Sequence, residues 1–172
     1  MMSAASQTPY RAARRAFIAA CEAAHVETVA RLHPSKGPDG KPLFMDCAAL
    51  GPRRAQRAML VVAKDAAGAQ VLTGLLGAPV PPDARLVLVH ALDPAAFAGV
   101  AGEPGWPAAM LGAVATEDLP KVRDLALLAL DGRGEELKPA LQQRLPEAAI
   151  TILAPARDAG QAMKRIADFF VG

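Results

Sequence analysis

A chain of 172 residues is long enough for one domain with its own core, and at 52% hydrophobic residues it is too apolar to be disordered. Its 19 basic and 17 acidic residues leave a net charge of +2, which excludes the strongly basic balance of a nucleic-acid binder. Aromatic residues make up only 4%, so the core must be built from Ala, Leu and Val.

Thr8-Pro9 predicts a helix start, with Thr as the cap and Pro in the first turn, and leaves residues 1–8 disordered. Tyr10, Ala13, Phe17, Cys21 and Ala24 then recur at helical spacing and predict a buried stripe ending near His25. Val26 to Leu32 and Leu43 to Leu50 read as two strands around the turn Pro34-Ser-Lys-Gly-Pro-Asp-Gly40. Ala58 to Ala63 is apolar on both faces and reads as a central buried strand, followed by a helix over Gly68 to Leu76. Arg85 to Ala91 is the clearest strand, broken by Asp93-Pro94, and Trp106-Pro107 opens a helix to about Asp118. Asp124 to Leu130 is a strand, and Leu137, Leu141 and Leu145 mark a helix that Pro139 delays to about Lys138. Ala149 to Leu153 is the last strand, and Asp158 caps a helix that buries Met163, Ile166 and Phe170.

Strands alternating with helices from residue 58 onward predict a three-layer α/β sandwich in one domain over 1–172. A mostly parallel central sheet carries an antiparallel edge hairpin and helices on both faces. No apolar run reaches the roughly 18 residues of a membrane span. The segment before the first arginines has no apolar core, which predicts no signal peptide and a cytoplasmic protein. Cys21 and Cys47 lack any metal or redox spacing and read as buried free thiols. The clusters Arg11, Arg14, Arg15 and Arg53, Arg54, Arg57 are not interleaved with aromatic residues; they read as solvated surface rather than as a nucleic-acid site.

Open α/β sheets bind ligands beyond the carboxyl ends of their strands, so the junctions Ala63–Gln70, His90–Pro94 and Leu130–Gly134 are the candidate sites. Lys64 and Asp65 form a surface ion pair or line a pocket, together with Gln70, His90 and Asp93. His90 is alternatively tied to a nearby loop. No phosphate-loop or dinucleotide glycine motif occurs. With only His25, His33 and His90, and no His-x-x-Glu or His-x-x-x-His spacing, a catalytic zinc site is not expected.

Three runs in succession, His33-Pro-Ser-Lys-Gly-Pro-Asp-Gly-Lys-Pro-Leu43, Asp46-Cys-Ala-Ala-Leu-Gly-Pro52 and Leu86-Val-Leu-Val-His-Ala-Leu-Asp-Pro94 with Phe97, are similar to a bacterial branch of the zinc carboxypeptidase-like (metallocarboxypeptidase) superfamily. The resemblance covers roughly residues 9 to 98. In that family the strand leads into a Thr-His-Gly-Val-Glu-Gly signature whose His and Glu bind zinc. With Gly68 and Gly74 matched to the family's glycines, the resemblance puts Ala67 and Gln70 at those two metal positions. Neither residue can replace its counterpart on zinc. The part from Asp124 to Phe170 also resembles the end of an α/β-hydrolase, with Asp131 or Glu135 as its acid. The loop Ala154-Pro-Ala-Arg-Asp158 lacks the histidine such an enzyme needs, and no Gly-x-Ser-x-Gly elbow is present. The resemblance therefore implies a non-catalytic, carboxypeptidase-like pseudoenzyme without cofactor, acting as a binding or scaffolding subunit for a protein partner or a second copy. A small esterase-like hydrolase using Asp65 or an unrecognised serine, and a small-molecule binder, stand as the alternatives.

Overall fold

The computed structural model describes residues 4–36, 42–91 and 106–171. Six strands form one sheet in the order β1-β2-β4-β3-β5-β6. They are β1 Thr28–Lys36, β2 Pro42–Leu50, β3 Arg57–Ala63, β4 Ala84–Ala91, β5 Asp124–Ala129 and β6 Ala149–Ile152. The helices are α1 Ala4–Ala23, α2 Ala66–Gly74, α3 Trp106–Asp118, α4 Gly134–Arg144 and α5 Ala159–Val171. β3, β4, β5 and β6 pair in parallel, while β1 pairs antiparallel with β2 and β2 with β4. The expected α/β sandwich with an antiparallel edge hairpin is the fold of this chain.

The central strand shows why its sequence is apolar throughout. Ala58, Leu60 and Val62 point to one side, into a core shared with Leu111 and Val114 of α3 and Leu137 and Leu141 of α4. Met59, Val61 and Ala63 point to the other, against Phe17 and Cys21 of α1, Leu72 of α2 and Ile166 of α5. A strand covered on both faces has no solvent side to mark with polar residues. The edge strand behaves differently: β1 carries Pro34, and its ladder to β2 slips between Leu32 and Lys36. A residue without an N–H is tolerated there because only one neighbour asks for hydrogen bonds.

Four boundaries depart from the expectations. β1 runs over Thr28–Lys36 rather than Val26 to Leu32, so Pro34 to Lys36, expected in the turn, extend the edge strand, where Lys36 pairs with Pro42. α1 starts at Ala4, so residues 4–8, expected to be disordered, are helical and Pro9 lies inside the helix rather than at its first position. The alanines and Gln7 favour helix, and proline near the start removes a single backbone bond. α4 likewise begins at Gly134 and carries Pro139 internally. The carbonyl deprived of a partner belongs to Glu135, an exposed residue whose backbone water can reach. Gly134 lets this early start pack onto the sheet, since a Cβ there would stand 3.0 Å from Ile152 Cγ2. α2 starts two residues before the predicted Gly68, because Asp65 caps it.

Candidate functional site

β3, β5 and β6 end at one edge of the sheet, and their loops lead into α2, α4 and α5. α2 packs on one face and α4 on the other. Adjacent β3 and β5 therefore send the chain to opposite faces, and the loops part between them. Such a switch point is where open α/β sheets bind ligands. A cleft of about 660 Å³ opens there, lined by Lys64 and Asp65 after β3, Leu130 and Asp131 after β5, and Pro155 and Arg157 after β6.

Lys64 and Asp65 do not pair with each other, which corrects the surface-pair reading. Lys64 turns under the cleft, its side chain only 8% exposed, and its Nζ lies 3.3 Å from Asp131 Oδ2. Asp65 turns the other way. Its extended backbone (φ −139°, ψ 177°) makes it the N-cap of α2, and its Oδ1 accepts from the Gly68 N–H at 2.6 Å. Gly68 is required by close packing: a Cβ there would stand 2.7 Å from Ala63 Cβ and 3.0 Å from the capping oxygen. Asp65→Ala should lower the unfolding free energy by about 1 kcal/mol, visible as a lower urea midpoint at unchanged m-value.

Behind the cleft lies a buried polar row. Asp46 of β2, His90 of β4 and Ala63 of β3 are side by side in register. Arg14 of α1 grips Asp46 with two bonds, Nε to Oδ2 at 2.8 Å and Nη2 to Oδ1 at 3.1 Å. Burial raises the Asp46 carboxyl above its ordinary value, and Arg14 opposes that rise. His90 is fully buried, packs edge-on to Phe17 and lies 3.1 Å through Nε2 from the Asp65 carbonyl. A carbonyl can only accept, so Nε2 carries the proton. Burial pushes the imidazole down to about 4, against the weaker pull of the Asp65 carbonyl, so the ring is neutral at pH 7. It holds the start of α2 in place and does not line the cleft. Cys21 is buried beneath α1, and burial, with the Asp46 and Glu22 carboxylates behind it, pushes its thiol up to about 11. That thiol is no nucleophile.

The remaining candidates fall elsewhere. Ala67 lines the cleft; Gln70 is exposed on α2 and does not. Asp93 lies outside the described residues, as does Phe97. The sequence placed Asp131 in the candidate junction Leu130–Gly134 and named it as a hydrolase acid, but not as a pocket residue, and it gave Arg157 no role. The available signal was their place after parallel strands; what was missing was that β5 lies beside β3.

A zinc ion does not suit this donor set. Ala67 offers no lone pair and Gln70 faces away. Of the two carboxylates in the cleft, Asp65 caps a helix and Asp131 neutralises an ammonium that would repel a dication. Among the described residues no three His, Cys, Asp or Glu side chains gather into a metal-holding group.

Residues 6–100 match the family described as "Protein of unknown function (DUF2817)". The chain belongs to the DUF2817 family. The matched span coincides with the stretch that carries the carboxypeptidase resemblance in the sequence. No curated protein matches the DUF2817 chain in sequence. Among solved structures it is similar to a glutaminyl cyclase of Porphyromonas gingivalis, with 14% identity, 91% of this chain and 71% of that one covered, and a TM-score of 0.50. It is also similar to a glutaminyl cyclase of Macrostomum lignano, at 15% identity over 69% of this chain and 45% of that one, with a TM-score of 0.47. An esterase of Mycobacterium marinum is similar at 14% identity over 96% of this chain and 60% of that one, with a TM-score of 0.41. The DUF2817 chain thus spans less than half the length of the Macrostomum protein. At such identities the likeness is one of fold alone, the α/β fold that this chain shares with the Porphyromonas glutaminyl cyclase. No helix among the described residues is long and apolar enough to cross a membrane.

Proposed function

We propose that this DUF2817 protein is a non-catalytic, carboxypeptidase-like binding protein, and that its switch-point cleft takes a small polar molecule, such as an amino or hydroxy acid. The observation that carries this reading is the Lys64–Asp131 ion pair at the floor of an open cleft. A ligand carboxylate would meet the Lys64 ammonium, with Arg157 at the rim, and a donor beside it would meet Asp131. The same pair speaks against hydrolysis, since it leaves neither group as a base. The esterase-like alternative needs Asp65 or a serine as nucleophile, yet the Asp65 Oδ1 is already taken by the Gly68 N–H, and neither a serine nor a histidine lines the cleft among the described residues.

A panel of amino and hydroxy acids should contain members that raise the melting temperature. At a hundred times the dissociation constant the stabilisation is about 2.7 kcal/mol. Lys64→Met should keep the fold and abolish the shift. Stoichiometric zinc in the purified protein, release of C-terminal residues from peptides, or turnover of activated esters would sink the reading. In the scaffolding role a protein partner or a second copy presents the ligand, and co-purification from the native host tests that role.

A further inference from the structure

A second cavity, of about 330 Å³, opens at the opposite edge of the sheet, at the amino ends of β3, β5 and β6. Six residues of β5 separate the two edges, about 20 Å of extended chain. Arg54, Lys121, Arg123 and Arg144 line this cavity against one carboxylate, Glu147. Glu147 is spent on Arg123, 3.3 Å away. Among the described residues Arg54, Lys121 and Arg144 have neither an ion pair nor a hydrogen bond. Three cations, from the loop before β3, the loop before β5 and the last residue of α4, therefore line one cavity with no anion paired to them.

The surrounding backbone does not neutralise them. The carbonyls of Leu145 and Ala148, which end α4 and the loop after it, are both bonded by Gln142 Nε2, at 2.8 and 2.9 Å. Arg144 is thus not needed as a helix cap. The Gln56 carbonyl accepts from the N–H groups of Arg123 and Asp124, at 2.7 and 3.0 Å. Pro120 and Pro146 stiffen the two loops that carry Lys121 and Glu147.

From this we infer that the cavity is a binding site for a small phosphorylated molecule, its phosphoryl group held between Arg54, Lys121 and Arg144. A dianionic phosphoryl group with several acceptor oxygens matches three separate cations better than a single carboxylate does. The volume suits one phosphoryl group and a small body. No aromatic residue lines the cavity, so nothing there could stack a base. The inference is independent of the ligand proposed for the Lys64 cleft.

Inorganic phosphate and glycerol phosphate, titrated separately into the whole protein at low ionic strength, test this by calorimetry. Both should bind if the phosphoryl group alone is read, and the monoester more tightly if the molecule's body also contributes. Arg144→Gln and Lys121→Gln should each weaken binding about tenfold. Both side chains are exposed, so these variants should melt like the parent without ligand. Lys164→Gln, the same charge change on the exposed face of α5, should bind as the parent does. Three results would overturn the proposal: no binding of either compound at millimolar concentration, equal weakening in Lys164→Gln, or displacement of phosphate by a short oligonucleotide at far lower concentration.

Discussion

Arg14→Met is expected to lower the stability of the fold by about 3 kcal/mol, although Arg14 itself lies near the surface. The cost falls on the partner. Asp46 is 1% exposed, and the guanidinium supplies both bonds to its carboxylate. Removing Arg14 leaves an anion under α1 that water reaches poorly. Asp46 carries a carboxyl whose ordinary value is already raised by burial, and without Arg14 it rises further. The loss should therefore shrink as the pH falls, because a protonated Asp46 no longer needs a cation. The double variant Arg14→Met with Asp46→Leu should recover most of the loss, since no buried charge then remains. Urea midpoints of the two single variants and the double, at pH 7 and pH 4.5, check this. Additive losses would mean that the pair contributes no coupling.

Acidification from pH 7 to pH 4 should cost the native state about 3 kcal/mol through His90 alone. Its imidazole is depressed to about 4 in the folded chain, against 6.5 when exposed. Between those two values the unfolded chain binds the proton and the native chain does not, so stability falls as the pH drops through 6.5 and levels off below about 4. Asp46 acts in the opposite sense: its folded value is raised above 3.8, so its burial cost is relieved on acidification. The His90 contribution is isolated by comparing the parent with His90→Gln, which retains a side-chain donor for the Asp65 carbonyl. The parent should lose its advantage over this variant as the pH falls. Parallel curves would show that His90 binds its proton alike in the native and unfolded chains, and so is not held neutral by burial.

Particular residues show how far the site could be read in the sequence. Asp158 and the Met163, Ile166, Phe170 stripe announced α5, because a cap and a 3.6-residue period are local properties. Asp158 Oδ1 accepts from the Gln161 N–H at 2.8 Å, as a cap should. The strand–turn–helix junction at Ala63–Gln70 was legible for the same reason. The partners of its charges were not. Asp65 next to Lys64 invites a pair, yet neighbours in an extended backbone point to opposite sides, and Asp65 is drawn to the amides of α2. Lys64 then finds Asp131, 67 positions away, only because β5 lies against β3.

By itself the sequence determined the alternation of elements and the burial of the central strands, since each depends on residue type and local period. The tertiary structure alone decided the strand order. That order places the switch point between β3 and β5, sets Lys64 against Asp131, puts His90 behind the cleft rather than in it, and gathers Arg54, Lys121 and Arg144 at the far edge. Pairing between distant strands is chosen by how well whole faces pack, and no short stretch of chain carries that information.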